Sequence, residues 1–246
     1  MGKRAMVTDS NGPVTSDFLS VISARHCKRA FLDRPVPRPV LERVLLAAGD
    51  APSPRNTQFW QVAVVTGAAR TALSGRLCAA LDAGLPAAPD YVNRPDPMGD
   101  RHERRAFAWG AAFYGALGID RADAASRNEF MRRNLCFYGA PVGMIFHLPQ
   151  NAVPGTFLEM GFFLQNVMLG LVSCGLGSCP QYSVAGYGSV IREFLGLGSD
   201  RLVVCGLSVG FPDEADPING FHPERAGLAE YTRWYDGAPP AGQDSA

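Results

Sequence analysis

Apolar residues recur at helical spacing in some stretches of the chain and at strand spacing in others. Leu41, Val44 and Ala48 share one face of a helix that opens at Pro39 and ends near Gly49, because proline suits the first helical turn and glycine the end of a helix. The same period predicts further helices over 69–82, 101–117, 122–138 and 187–195, and one from Thr15 or Ser16 to Arg25. Alternating or valine-rich runs predict strands over 61–66, 141–148, 178–181 and 201–210. The pattern therefore predicts an α+β fold.

The longest apolar segment, 157–177, is apolar around its whole helical circumference rather than along one stripe. Glu159, Gln165 and Asn166 interrupt it. A charge and two amides at that depth are costly in lipid, so we predict no membrane span. Such a helix must be covered on all sides, either within a large monomer or by a second subunit.

Prolines and small polar residues mark the parts of the chain without regular structure. Residues 84–99 hold four prolines and are predicted to be irregular. The ends, 1–14 and 237–246, lack a periodic apolar pattern and are predicted to be mobile tails. One domain over 15–236 remains.

Composition excludes several classes of partner. The chain has 246 residues, 47% of them apolar, with 23 basic and 23 acidic side chains. This balance supplies no positive field for nonspecific binding to nucleic acid or to an anionic membrane.

The six cysteines indicate the compartment and argue against a metal site. They form no Cys-x-x-Cys pair and have no histidine at ligand spacing, so no metal is predicted and most thiols are expected to be buried apolar groups. Lys3 and Arg4 are not followed by the hydrophobic region of a secretory signal. A reducing cytoplasm is therefore expected.

Two short runs suggest a binding site. The first, Arg25–Phe31, combines basic side chains, His26 and an aromatic residue, and the second, Ala51–Trp60, places small, amide and aromatic residues on a proline-rich loop. Together they suit a ligand that is both anionic and flat, such as a flavin mononucleotide (FMN) with its phosphate, ribityl chain and planar ring.

Two other motifs suggest competing functions. Gly206, Ser208 and Gly210 match the nucleophile elbow of a hydrolase, but the segment from Phe211 to Pro217 cannot continue as the helix that an elbow requires. The glycines around 175–177 follow a helix rather than a strand, so a dinucleotide fingerprint is not supported. Neither alternative is favoured.

Four segments, in order, resemble the signatures of the FMN-dependent nitroreductase family. They are Arg25-x-Cys27-x-Arg29-x-Phe31, the loop Ala51–Trp60, the segment Gly175–Ser183 and the late Pro223-Glu224-Arg225. Cys27 stands where the family usually has serine. The resemblance spans about residues 18–235.

The resemblance implies a three-layer fold with a central mixed or antiparallel sheet flanked by helices, in an intertwined homodimer. It implies that 84–138 is a helical insertion forming a substrate lid and that 211–236 is an arm across the partner subunit. It also implies a ping-pong reaction in which NAD(P)H reduces the flavin at N5 and a small-molecule acceptor such as a nitroaromatic compound is then reduced in two-electron steps.

The resemblance also assigns site residues. The backbone amide of Tyr182 would donate to flavin N5, and Arg29 would stabilise the reduced ring as a cation. The cofactor contacts would be Arg25, His26, Cys27, Arg29, Pro52, Ser53, Asn56, Gln58, Pro180, Gln181, Tyr182, Ser183 and Arg225. The substrate contacts would be Phe113, Tyr114, Arg132 and Arg133.

Arginines around the aromatic lid suggest an acceptor with a carboxylate, as in a nitrobenzoate-reductase-like subgroup. Replacing Arg132 and Arg133 singly would test this prediction, and equal losses with nitrobenzoate and nitrobenzene would eliminate it. Two alternatives remain open: a flavin-dependent dehydrogenase or dehalogenase of a specific metabolite, and a noncatalytic flavin-binding module.

Overall fold

The computed structural model describes residues 18–120 and 122–237. The predicted helix cap at Thr15 or Ser16 lies outside these ranges, and so do the predicted tails, apart from Gly237. At its centre is an antiparallel sheet with the strand order β1-β2-β4-β3. The strands are β1 (Gln61–Thr66), β2 (Val142–Pro149), β3 (Gly177–Gln181) and β4 (Arg201–Gly210). The sequence predicted each of them to within one residue.

Helices surround this sheet. They are α1 (Phe18–Ala24), α2 (Arg38–Ala48), α3 (Gly67–Asp82), α4 (Asp100–Ala116), α5 (Ala124–Leu135), α6 (Pro154–Ser173), α7 (Tyr182–Ala185), α8 (Gly188–Leu195) and α9 (Leu228–Tyr231). The predicted helix over 122–138 ends earlier as α5, because Phe137 and Tyr138 adopt left-handed backbone angles. The predicted irregular stretch, 84–99, forms no helix or strand.

Each face of the sheet is covered by its own apolar core. On β2, alternate side chains point to opposite faces: Met144 and Phe146 pack with α2 and α6, whereas Ile145 packs with α3 and α8. The arrangement is helix, sheet, helix. The predicted α+β, three-layer architecture is confirmed.

The long apolar helix α6 is only partly covered by its own chain. It packs against α2, α1 and β3, but Leu158 and Phe162 remain 59% and 41% exposed. Among the described residues, α6 is the one helix whose length and mean hydropathy of 1.3 would suffice to cross a membrane, and 39% of this apolar stretch is buried. The core helix of a soluble protein has the same length and composition, so these two properties alone do not place α6 in lipid.

The serine of the elbow-like motif lies inside a strand. Ser208 belongs to β4, is fully buried, and its Oγ donates to the backbone oxygen of Cys179 at 3.4 Å. A nucleophile must be exposed at a turn between a strand and a helix. The prediction that this motif is structural is confirmed.

Candidate functional site

The basic segment Arg25–Phe31 lies along β3, at one edge of the sheet. Cys27 forms a parallel β-bridge with Ser178, and the backbone N–H of Lys28 donates to the Ser178 oxygen at 3.0 Å. The approach is close because Gly177 has no side chain: a Cβ there would lie 2.7 Å from Cγ of Lys28. The first and third of the four family-like segments therefore meet within one chain.

Arg29 is held over this edge by aromatic groups. Its guanidinium carbon lies 4.6 Å from the ring centre of Phe113, and its side chain also hydrogen-bonds the hydroxyl of Tyr138. Phe113 packs edge-on against Phe130 of α5, with ring centres 5.4 Å apart. Such contacts fix a guanidinium with little loss of its ability to bind an anion.

Asn219 ties the basic segment to the later part of the chain. Its side-chain oxygen accepts from the backbone N–H of Arg29 at 2.7 Å and of Ala30 at 3.3 Å. Its side-chain nitrogen donates to the backbone oxygens of Ala30 at 2.7 Å and Asp213 at 2.8 Å. The residue is 1% exposed. Asn219 thus fixes the backbone from which Arg29 projects.

His26 contacts the later part of the chain that carries Arg225. The ring of His26 lies 4.2 Å from the ring of His222, three residues before the exposed Arg225. The two ring nitrogens of His26 contact the backbone oxygens of Ala24 at 2.8 Å and Asn219 at 3.0 Å. Carbonyl oxygens only accept, so each of these two contacts requires an N–H on the ring nitrogen that makes it.

Cys27 adds a thiol to this cationic edge. The pKa of Cys27 lies below its usual range because the Cys179 thiol donates to it and the guanidinium groups of Arg29 and Arg25 favour the thiolate, whereas burial opposes the shift. The same hydrogen bond and burial raise the pKa of Cys179. A serine, the usual family residue, would not carry this charge.

The end of β3 forms a polar shelf next to the basic segment. The Gln181 amide nitrogen donates to the backbone oxygen of Asn134 at 2.5 Å and to its side-chain oxygen at 3.0 Å. Its own side-chain oxygen is buried and has no partner among the described residues. Tyr182 opens α7, a position where a backbone N–H has no acceptor within the helix. Pro180 and Ser183 flank these two residues and are partly buried.

The loop Ala51–Trp60 lies away from this shelf. It leads into β1, the opposite edge strand of the sheet, so three strand spacings of about 4.8 Å separate the two edges. Arg55, Asn56 and Gln58 adopt positive φ angles of 53°, 60° and 49°. Ser53 Oγ accepts from the backbone N–H of Gln58 at 3.2 Å. Non-glycine residues in this conformation cluster at ligand sites, but the width of the sheet separates Pro52–Gln58 from the edge that carries Arg29 within one chain.

The predicted substrate residues divide between two faces. Phe113 is buried against Arg29, and Tyr114 follows it, partly buried. Arg132 instead forms ion pairs with Asp82 and with Glu129, on the side of α5 that faces α3. Arg133 is exposed. Of the two arginines, only Arg133 has no carboxylate partner within 4 Å in the described part of the chain.

Sequence reasoning missed Asn219, Asn134 and Tyr138. Asn134 donates from its side-chain nitrogen to the Tyr138 hydroxyl at 2.7 Å, which completes a chain of contacts from Gln181 to Arg29. These residues follow no motif spacing, and their role depends on contacts between distant parts of the chain. The left-handed backbone at Tyr138, φ 54°, is likewise invisible in the sequence.

Known proteins match most of this chain. A profile of the nitroreductase family matches residues 22–211. The 4-nitrobenzoate reductase of Pseudomonas putida is 37% identical over 221 residues, which cover 90% of this chain and 96% of the relative. The nitrobenzene nitroreductase of Ectopseudomonas oleovorans is 36% identical over 222 residues, covering 89% and 97% respectively.

A solved structure is also similar over nearly its whole length. The FMN and NADPH-dependent nitroreductase NfnB from Sphigopyxis sp. strain HMH superposes with a TM-score of 0.86 at 38% identity, covering 89% of this chain and 99% of that one. The family profile matches most of the chain, and both relatives share more than a third of their aligned residues with it. The resemblance predicted from four short segments is therefore confirmed. The chain belongs to the nitroreductase family.

Proposed function

We propose that the protein is an FMN-dependent NAD(P)H oxidoreductase that reduces nitroaromatic compounds. The observation that carries the proposal is the contact between the basic segment Arg25–Phe31 and β3, which places two arginines beside a polar shelf. The similar proteins from Pseudomonas putida and Sphigopyxis are named for nitroaromatic reduction and for dependence on FMN and NADPH. Reductant and acceptor would use the same site in turn.

The residues of this edge fit FMN in their chemistry. Arg25 and Arg29 offer fixed cations to a phosphate or to the electron-rich edge of a ring. The unpartnered buried oxygen of Gln181 is an acceptor that lacks a donor until a ligand N–H reaches it. The backbone N–H of Tyr182 is an available donor on the same shelf. These complementary groups support the cofactor assignment.

The chain would bind, orient and shield the cofactor. FMN, when bound, supplies the two-electron redox chemistry. Arg29 would stabilise negative charge through a position fixed in advance by Phe113 and Tyr138, so no reorganisation is needed during turnover. Phe113 and Phe130 would exclude water from the neighbouring space.

Anaerobic spectroscopy of the purified holoenzyme tests the proposal. We expect visible flavin absorbance that bleaches when NADPH or NADH is added under argon and returns on addition of a nitroarene. Bleaching without return would favour a dehydrogenase or dehalogenase acting on another metabolite. Absence of bleaching with either nucleotide would leave a noncatalytic flavin-binding module and contradict the proposal.

The proposal includes a homodimer whose two chains build each site. The loop Ala51–Trp60 and β3 lie at opposite edges of one sheet, so both contribute to one pocket only if they come from different chains. Large apolar side chains are exposed on α1 and α6, where they form a surface suited to a partner; these are Phe18, Leu19, Ile22, Leu158 and Phe162.

The predicted arm, 211–236, divides into two parts. Phe211 to Asn219 pack on the chain's own basic segment, where the Lys28 ammonium pairs with Glu214 at 2.5 Å. Beyond them, Trp234 and Tyr235 are 79% and 84% exposed. We propose that this later part crosses the partner, because two adjacent exposed aromatic rings offer an apolar surface that a second chain would cover.

Mixing two inactive variants tests the shared site. One variant carries Arg29→Ala, and the other carries Asn56→Ala with Gln58→Ala. After subunit exchange of equal amounts, half of the dimers are hybrids with one intact site each, so we expect roughly a quarter of wild-type activity from the statistics of a two-fold dimer. If each site belonged to a single chain, every site would retain a defect and activity would not return.

We also propose that the protein works in a reducing cytoplasm. All six cysteines are free thiols in the structure, which is the usual state in that compartment.

A further inference from the structure

Two cysteines meet away from the proposed flavin site. Cys78 lies on α3 and Cys136 directly follows α5, 58 positions later, yet their sulfur atoms are only 3.3 Å apart. Cys78 is buried, whereas Cys136 is partly exposed. A disulfide bond needs a sulfur separation of about 2.05 Å, so an approach of little more than an ångström would join them.

We propose that Cys78 and Cys136 form a reversible disulfide, a site of oxidation by hydroperoxides that links α3 to the end of α5. The proposal rests on the geometry of the two thiols and does not depend on the proposed reductase activity.

The difference in exposure orders the chemistry. The hydroperoxide reaches Cys136 first and transfers one oxygen to its sulfur, which gives a sulfenic acid and releases water or an alcohol. The buried Cys78 thiol then attacks this sulfur; a sulfur–sulfur bond forms, and the hydroxyl group leaves as water with the thiol proton. Two thiols are oxidised by two electrons, and one hydroperoxide is reduced. A dithiol reductant reverses the reaction by exchange.

The surroundings of the buried thiol agree with this order. Burial, and then the hydrogen bond to Cys136, raise the pKa of Cys78 to about 11. Cys78 therefore stays protonated near neutral pH and is the poorer nucleophile towards an external oxidant. Once Cys136 carries a sulfenic acid at contact distance, proximity compensates for this low reactivity.

The link would restrain a strained part of the chain. Cys136 is followed by Phe137 and Tyr138, which hold positive φ angles of 55° and 54°. Tyr138 contacts Arg29 and Asn134. A bond from Cys136 to α3 therefore anchors the segment that supports Arg29, without touching the site itself.

The experiment uses purified holoenzyme treated with a small excess of hydrogen peroxide, unfolded in iodoacetamide and digested without reductant. We expect a cross-linked peptide pair containing Cys78 and Cys136, lost on treatment with dithiothreitol. The loop is long, so the oxidised protein should melt at least about 5 °C above the reduced one. Amide exchange at Phe137 and Tyr138 should slow on oxidation.

Matched variants make the outcome decisive. In Cys78→Ala, hydrogen peroxide should oxidise Cys136 to a sulfenic acid, which dimedone would trap. In Cys136→Ser, Cys78 should remain a thiol and be alkylated by iodoacetamide. Cys174, partly exposed in the same protein, is the internal control and should not enter the cross-link. If wild-type Cys78 and Cys136 remain separately alkylated, or Cys136 passes to sulfinic acid without a cross-link, the pair is only packed together and the proposal is wrong.

Discussion

Replacement of Arg29 by alanine should reduce kcat/KM for nitroarene reduction by about 10²–10³-fold, the usual loss when one fixed electrostatic group is removed from a reacting site. The guanidinium lies between Phe113 and Tyr138 and next to β3, so it is already ordered before a ligand binds. Stopped-flow measurement of the reductive and oxidative halves would show the loss, together with a more negative flavin reduction potential.

Arg34 provides a matched control for this experiment. Its guanidinium carbon also lies over an aromatic ring, 3.9 Å from the centre of Phe211, but the side chain is exposed and belongs to no part of the proposed site. Arg34→Ala should retain activity within a factor of about two, as expected of a surface contact. Arg29→Lys retains the charge and should fall between the wild type and Arg29→Ala. Wild-type activity and potential in Arg29→Ala would contradict the assigned role.

Replacement of Asn219 by alanine should destabilise the protein by about 3 kcal/mol and weaken FMN binding as well. The change removes four hydrogen bonds and leaves the backbone N–H groups of Arg29 and Ala30 without their acceptor, and each such group costs about 1–3 kcal/mol. For a chain of this size the melting temperature should fall by roughly 6–12 °C.

Two further variants separate the causes of this loss. Asn219→Asp keeps the acceptor for Arg29 and Ala30 but places a buried carboxylate oxygen against the backbone oxygens of Ala30 and Asp213, so the loss should be at least as large as in Asn219→Ala. The exposed Asn151, in a surface turn, should change stability by less than about 0.5 kcal/mol when replaced by alanine. Unfolding in urea gives the free energies, and fluorescence titration of apoprotein gives the FMN affinity. An unchanged melting temperature in Asn219→Ala would show that these bonds do not stabilise the fold.

Local patterns predicted the elements of this fold well. Strands β1 and β4 begin and end at the predicted residues, 61–66 and 201–210, because valine-rich alternation is a property of the strand itself. The predicted ends of the helices were less accurate. The structure starts α5 at Ala124 because the Asp123 side chain accepts from the backbone N–H groups of Ala125 and Ser126. In the sequence, several neighbouring polar residues are equally suited to cap a helix, so the pattern does not single out Asp123.

The candidate site was only partly predictable. Arg25, Arg29 and the segment around 180 carry recognisable spacing, and the structure brings them together. The groups that hold Arg29 in place, Tyr138 and Asn219, come from segments 109 and 190 residues away and follow no local pattern. Long-range contacts of this kind depend on the packed fold, so composition and periodicity carry no signal for them.

The strand order has a consequence for how ligand binding and assembly depend on each other. A single chain presents its shelf at one edge of the sheet and its amide-rich loop at the other, so on its own it offers two incomplete half-pockets that face apart. In the proposed dimer each cofactor molecule would bridge two polypeptides. Occupancy and association are then thermodynamically linked: dilution that separates the subunits would release cofactor, and saturation with cofactor would hold the subunits together by mass action.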